Sequence, residues 1–269
     1  MTEQNTDRGE MSFLEHLEVL RWHLVRSAIV LGVLTLVAFF NKSFIFDTII
    51  LAPKNANFWT YHFLCSVSKM FGMDEALCIN EIPFTLISID MSGQFSTHIW
   101  VSMIAGVVVA FPYICWEIWS FIKPALHQNE IKYSRGIVFF SSLLFTLGVL
   151  FGYYFIAPLS INFLGSYTVS EEVKNSISLN SYITTITTLT LAAGIVFELP
   201  ILVYFLSKIG ILTPQFMRHY RKHAIVIILI IAAIITPPDV ASQILVTIPI
   251  LILYEISIFI SGFVVKKNV

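Results

Sequence analysis

Residues 136–157 read GIVFFSSLLFTLGVLFGYYFIA, an uncharged stretch that decides the fold of the chain. As an α-helix they would extend about 33 Å, which is enough to cross the roughly 30 Å hydrocarbon core of a bilayer. The rest of the chain has a matching composition, because 57% of its 269 residues are hydrophobic and only 12% are charged. A soluble core cannot bury so much apolar surface, so the chain must contact membrane lipid. We predict an all-α integral membrane protein.

Five further apolar stretches predict a bundle of six transmembrane helices. In the fifth span only Ala224–Thr236 is apolar, since Lys222 precedes it and Pro237 follows it. As a helix this stretch would extend about 20 Å, so we expect span 5 to be short or the bilayer to thin around it. Span 6 is expected to be interrupted at Pro249 and Glu255. The predicted spans are 23–40, 95–121, 136–157, 182–206, 224–236 and 240–265.

Polar segments separate and flank these spans. Residues 1–22 are predicted to form a tail and then an amphipathic helix that lies on the membrane and runs into span 1. Loop 41–92 is long for a connector, so we expect it to fold as a small cap. Shorter polar loops are predicted at 122–135 and 158–181, and residues 266–269 form a second tail.

Basic residues are distributed unevenly between the two ends of the predicted bundle. If the N-terminus is placed inside, only four of the 16 Lys and Arg residues fall in outer segments: Lys42, Lys54, Lys69 and Lys174. Inner loops of membrane proteins carry an excess of Lys and Arg. The sequence therefore predicts that both termini are cytoplasmic. The formal net charge of -1 leaves no basic excess for a nucleic-acid partner.

Ionisable side chains inside an apolar span are costly and need a reason. Glu198 is expected near mid-depth, on the same helix face as Thr187, and Glu255 is expected at a similar depth. Both carboxyls can hold helices together by hydrogen bonds, or they can form a polar docking face or a proton-linked site. Asp239, in the turn before span 6, can cap that helix or act in function, and Gln243 lies one turn further on.

Three carboxylates are expected near the inner ends of spans 1 to 3, among basic residues: Glu15, Glu18 and Glu130. They can be ordinary solvated charges at the membrane interface. Alternatively they can bind arginines of a partner, because a carboxylate matches a guanidinium as a bidentate pair. The local sequence does not decide between these two interpretations.

Cys65 and Cys78 lie in the same predicted outer loop. In an oxidising compartment they can form a disulfide that closes a loop of about 13 residues, or they can remain two thiols. No Cys-x-x-Cys or Cys/His spacing suggests a metal site. We predict no metal or other cofactor.

Several short segments stand out by their order, their spacing and the membrane sides on which they fall: Met11-Ser12-Phe13 with His16-Leu17 and Leu20-Arg21, Ala52-Pro53, Trp119 to Leu126 followed by Glu130, Gly194 to Pro200, and Thr236 to Val240 with Ser242-Gln243. Each segment alone is weak, but their combination from about residue 11 to residue 262 is specific. Together they make the chain resemble the TatC family, the multispanning core of the twin-arginine protein translocase.

The resemblance implies a concave, glove-like bundle of six helices in the bacterial cytoplasmic membrane, with both termini inside and short spans 5 and 6. It implies a receptor and not an enzyme, with no catalytic residues. The implied partners are twin-arginine signal peptides of folded cargo proteins, single-span subunits similar to TatA and TatB, and further copies of the chain. Signal binding is implied for Glu15, Glu18, Arg21, Phe121, Pro124 and Glu130, and transport or partner docking for Pro53, Glu198, Asp239 and Gln243.

One position departs from the family pattern. The family's His-Leu-x-Glu-Leu-Arg segment has its signal-binding glutamate where this chain has Val19. Valine accepts no hydrogen bond from a guanidinium. Glu15 lies one helical turn earlier and Glu18 is adjacent but turned by about 100°, so either is a candidate substitute.

Two other functions are compatible with an integral membrane protein. A proton-coupled transporter of a small solute could use Glu198 and Glu255 as a relay, but such transporters usually contain inverted repeats, and we find none. An intramembrane protease would need a catalytic constellation, and the sequence has neither His-Glu-x-x-His nor Gly-x-Ser-Gly. The receptor is therefore the preferred prediction.

Overall fold

The structure is a computed structural model that describes residues 13–70, 72, 78–79, 84–123, 134–170, 172, 175–236 and 240–268. Helices dominate these residues, as predicted. In chain order they are α1 (Phe13–Phe40), α2 (Trp59–Met70), α3 (Gly93–Ile122), α4 (Ser134–Phe151), α5 (Ala157–Ser166), α6 (Leu179–Val196), α7 (Leu199–Lys208), α8 (Pro214–His219), α9 (Arg221–Ile235) and α10 (Val240–Asn268). We call the end where α1 begins and α3 finishes the inner end, and the opposite end the outer end.

Five stretches of the described chain are long and apolar enough to cross a membrane: Leu17–Phe40, Gly93–Ile122, Gly136–Ser166, Leu179–Lys208 and Ser242–Lys266. The predicted fifth span corresponds to α9, which has 15 residues. Its length of about 23 Å falls short of a hydrocarbon core of about 30 Å. The expectation of a short helix at this place is therefore confirmed.

Span 6 differs from the prediction. It is one helix of 29 residues, Val240–Asn268, with Pro249 inside it and no break at Glu255. A proline removes one backbone hydrogen bond but kinks a membrane helix without ending it when neighbouring helices support the backbone. The expectations of a short and interrupted sixth span are therefore wrong.

The first and third spans extend beyond their predicted bounds. No break separates the expected surface helix from span 1, because α1 runs continuously from Phe13 to Phe40. After α4, a π-helical turn at Gly152–Ile156 leads into α5, which occupies part of the predicted loop 158–181. Pro158 directly follows the π-helical turn, so the helix continues through a proline, which a membrane helix tolerates when its surroundings support the backbone.

Span 4 is divided into two helices. α6 ends at Val196, and α7 begins at Leu199 with Pro200 in its first turn. Proline cannot donate to the preceding turn and disfavours helical geometry in the residue before it. Pro200 is the local cause of the break, and Phe197 and Glu198 are the two residues that connect the helices.

The loop after α1 folds over the outer end of the bundle. It contains a π-helical segment (Phe44–Ile50), a 3-10 turn (Ala52–Lys54), α2 and strand β1 (Thr85–Ile87). β1 pairs in parallel with strand β2 (Ser176–Ser178), which precedes α6. Cys65 and Cys78 form a disulfide within this loop.

Tyrosine hydroxyls bind this loop to the bundle. Tyr182 of α6 donates to the carbonyl of Ile50 at 3.0 Å, and Tyr153 donates to Ile49 at 2.7 Å. Within the loop, Tyr61 donates to the carbonyl of Pro53 at 2.7 Å. Burial raises the pKa of Tyr61 far above its usual range, so this hydroxyl remains a donor.

Glycine allows α1 and α3 to approach closely. A Cβ atom on Gly106 of α3 would clash with the hydroxyl of Thr35 and lie 3.0 Å from its backbone nitrogen. Close backbone contact through small residues is a main source of helix association in membranes. Gly106 therefore sets how closely α1 and α3 pack against each other.

Replacing Gly106 with valine should destabilise the protein by about 1–3 kcal/mol, because the added methyl groups overpack this contact. The measurement is thermal or denaturant unfolding of purified protein in detergent. Gly32→Val is the matched control, since Gly32 is also helical and a Cβ there meets nothing within 4 Å. Equal losses for the two variants would contradict the close-contact interpretation.

Candidate functional site

A buried acidic side chain lies at the inner end of the bundle. Glu117, near the end of α3, is only 1% exposed. Tyr113 donates its hydroxyl to Oε1 of Glu117 at 2.5 Å, and His23 Nδ1 of α1 donates to Oε2. Both carboxyl oxygens are therefore engaged, and α1 and α3 are joined by a polar contact where both helices approach the interface.

His23 extends this contact to an aromatic side chain. Its ring meets Phe121 edge-on, with ring centroids 6.1 Å apart. His23 also lies one turn after Val19 on the same face of α1. The engaged carboxyl of Glu117 cannot accept an arginine without rearrangement, but it holds His23 against Phe121, one helical turn from Val19. Glu117 can thus position the residues predicted to bind a signal.

Glu117 was not among the predicted site residues. It is an ionisable residue within the predicted span 95–121, and the cost of such a group in lipid was the signal that would have identified it. Its partner could not have been identified this way, because His23 is 94 residues away in sequence.

The other predicted inner residues have different environments. Glu18 and Arg21 are exposed and form a loose i,i+3 pair, with 3.5 Å between Arg21 Nη2 and Glu18 Oε1. Such pairs contribute little to stability, so both remain available to a partner. Glu15 lies in α1 but its side chain is outside the described part, and Pro124 and Glu130 lie outside the described residues.

Glu198 occupies the break between α6 and α7. Its Oε2 accepts a hydrogen bond from Ser141 of α4 at 2.8 Å. Its Oε1 is buried and accepts no hydrogen bond from any part of the chain that the structure describes. A buried acceptor without a donor is costly. Oε1 is therefore an acceptor that another molecule could reach only after the side chain moves, while Ser141 holds the other oxygen.

Glu255 has a partner within the chain. Arg221 Nη2 of α9 donates to Oε2 of Glu255 on α10 at 2.8 Å, and both side chains are about half exposed, at 47% and 43%. A carboxylate held by an arginine is a poor member of a proton relay with Glu198. This pairing weakens the transporter interpretation.

The predicted outer residues do not join the inner group. Pro53 is a buried residue of the cap loop, and its carbonyl accepts a hydrogen bond from the Tyr61 hydroxyl. Gln243 of α10 donates Nε2 to the carbonyl of Leu229 on α9 at 3.4 Å. Asp239 lies outside the described residues. Those predicted residues that the structure describes thus fall into an inner, a mid-depth and an outer group, and no single pocket contains all of them.

Long apolar helices with polar side chains at their inner end and at mid-depth define a multi-pass membrane protein. The profile of the family described as "Sec-independent protein translocase protein (TatC)" matches residues 15–249. The chain belongs to the TatC family, a translocase component of the bacterial inner membrane and not an enzyme family.

Individual relatives cover nearly the whole chain. The TatC protein of Blattabacterium sp. subsp. Periplaneta americana (strain BPLAN) is 41% identical over 263 residues, which cover 97% of this chain and 99% of the relative. The TatC protein of Aquifex aeolicus (strain VF5) is 32% identical over 259 residues, which cover 96% and 98%.

A solved structure has the same fold. The crystal structure of a twin arginine translocase receptor TatC matches with a TM-score of 0.70 and 33% identity, and the match covers 93% of this chain and 100% of that chain. The predicted family is therefore confirmed, and the translocase is favoured over the small-solute transporter.

Proposed function

We propose that the protein is the twin-arginine signal receptor and assembly platform of a Sec-independent translocase that exports folded proteins. The observation that carries this proposal is the family match across residues 15–249. The inner end offers suitable chemistry, because Glu18 is exposed there and His23 contacts the aromatic ring of Phe121. In this proposal six helices cross the cytoplasmic membrane, with α9 as the short fifth span and both termini in the cytoplasm, in agreement with the placement of Lys and Arg.

Signal recognition takes place at the inner end. The paired guanidinium groups of the signal bind Glu130 together with Glu15 or Glu18, which replace the carboxylate missing at Val19. Phe121 offers an aromatic face to one guanidinium. Glu117 acts indirectly, by holding His23 against Phe121, and Arg21 and Pro124 shape the edge of the site.

Partner docking takes place deeper in the membrane. Single-span subunits similar to TatA and TatB pack along spans 4 to 6, and a polar group of one of them donates to Oε1 of Glu198. Asp239, Gln243 and Pro53 support the outer part of this surface. A hydrogen bond at this depth contributes about 1–2 kcal/mol at most, so docking is reversible. Further copies of the receptor share the same complex.

Capture of a signal peptide tests recognition directly. The full-length protein in detergent should capture a peptide with an Arg-Arg pair at least about tenfold better than its Lys-Lys counterpart, which corresponds to about 1.4 kcal/mol. Pull-down or crosslinking yield with purified components is the measurement. Glu18→Lys and Glu130→Lys should lower capture of the Arg-Arg peptide.

The matched control is Glu172→Lys, because Glu172 is an exposed carboxylate at the outer end. It should leave capture unchanged. Equal capture of the two peptides, or full capture by both inner variants, would refute the proposed recognition.

A further inference from the structure

A group of basic residues surrounds the start of α9. The segment from α8 to the first turn of α9 contains five exposed basic or imidazole side chains: Arg218, His219, Arg221, Lys222 and His223. We call these residues the basic ledge. Aromatic rings accompany them, since Tyr220 lies between Phe216, at a centroid distance of 4.6 Å, and His223, at 5.5 Å. Tyrosine and basic residues together are typical of a membrane interface.

The ledge is set back from the inner end of α10. Tyr254 donates its hydroxyl to the carbonyl of Met217 at 2.8 Å, and Arg221 bonds to Glu255 at 2.8 Å. These two adjacent α10 residues precede Lys266 by about 17 Å of helix. Met217 is buried against Val203 and Ile258, which fixes this height. The basic side chains therefore lie closer to the middle of the bundle than the inner end of α10 does.

The positive charge of the ledge exceeds its negative charge. Among the described residues, Glu255 is the one carboxylate that contacts the ledge, and it is engaged by Arg221. Arg218 and Lys222 have no ion pair within the described part of the chain. Charged groups set below the membrane surface need an opposite charge. No contact among the described residues supplies this opposite charge to Arg218 or Lys222.

We infer that the basic ledge binds the phosphate headgroup of an anionic phospholipid. A lipid is favoured over a soluble anion because exposed apolar side chains adjoin the ledge. Ile225 and Val226 continue α9 towards mid-depth, and Phe259 is exposed on α10. An acyl chain can cover these residues while its phosphate contacts Arg218 and Lys222. Because α9 is short, the bound headgroup also lies deeper than its neighbours in the same leaflet.

The test compares lipid binding by the full-length protein and a double variant. Native mass spectrometry or fluorescence quenching in detergent measures affinity for phosphatidylglycerol and for phosphatidylcholine. The wild type should prefer phosphatidylglycerol by about tenfold to thirtyfold, since each basic residue near the surface strengthens attraction to anionic lipid. The double variant Arg218→Gln with Lys222→Gln should reduce this preference to less than about threefold.

The charge-matched control is Lys42→Gln with Lys69→Gln, which removes two exposed basic residues at the outer end. It should keep the full preference. If the double variant unfolds, Lys222→Gln alone should reduce the preference by about half on a logarithmic scale. An unchanged preference in the ledge variants, competition by inorganic phosphate at equal concentration, or replacement of the lipid by an acidic peptide would each overturn the inference. Signal capture by the ledge variants should remain normal, so this test is independent of the proposed recognition.

Discussion

Replacing Glu117 with leucine should destabilise the protein by about 3 kcal/mol. The substitution removes the buried carboxylate that accepts from the Tyr113 hydroxyl and the His23 ring N–H, both of which are half-buried. Each unsatisfied donor of this kind costs about 1–3 kcal/mol. Glu117→Gln keeps an amide oxygen at the site and should cost only about 1 kcal/mol. Denaturant unfolding in detergent, followed by tryptophan fluorescence, measures both values.

Glu18→Leu is the control for this prediction, since it removes a carboxylate from the same end of the bundle. Glu18 is exposed and makes only the loose contact to Arg21, so the expected loss is at most about 0.5 kcal/mol. The Glu117→Leu variant should also capture less Arg-Arg peptide, because His23 and Phe121 lose their fixed position. Comparable stability of the two leucine variants would show that the buried contact contributes little.

Replacing Glu198 with leucine should weaken docking of the single-span partner by about 5- to 30-fold. This range corresponds to the loss of one interhelical hydrogen bond of about 1–2 kcal/mol. Export of a folded twin-arginine cargo should fall with it. Glu198→Gln keeps an acceptor and should retain much of both activities. The measurements are co-purification of the partner and the amount of exported cargo in cells.

Ser141→Ala separates the two oxygens of Glu198. It removes the donor to Oε2 and leaves Oε1, the oxygen without an internal partner, in place. Docking should therefore remain within about twofold of wild type, at a small loss of stability. If leucine at position 198 docked as well as glutamate, the proposed contact would be excluded. If Ser141→Ala abolished docking, the assignment of the two oxygens would be wrong.

Sequence reasoning identified features that depend on local composition. The apolar run Ala224–Thr236, bounded by a lysine and a proline pair, predicted a short helix. Its predicted start lies within three residues of the observed start of α9. The break in span 4 was not predicted, because Pro200 is compatible with either a kink or the start of a new helix. The helix at 157–166 was missed for a similar reason, since Pro158 suggests a loop unless its surroundings support a helix that continues through it.

Contacts between distant segments lay beyond sequence reasoning. The cost of a charge in an apolar span suggests that Glu117 has a partner, but only the packing of α1 on α3 brings His23 to it. Glu198 was identified from its depth, whereas its hydrogen bond to Ser141 depends on how α4 packs against the break before α7. The likeness to TatC supplied the roles of residues whose chemistry alone was ambiguous, such as Pro53 and Gln243.

The pairing of β1 with β2 has a consequence for the order of assembly. Each strand leads into a helix that runs inward, β1 into α3 and β2 into α6, and the Trp100 indole of α3 donates to the Thr187 hydroxyl of α6 at 3.1 Å. β1 is synthesised about 90 residues before β2, so in the proposed topology the two strands can pair only after the second outer segment has crossed the bilayer. Pairing of β1 with β2 then fixes the positions of α3 and α6 relative to each other along their axes. These two helices enter the membrane at different times.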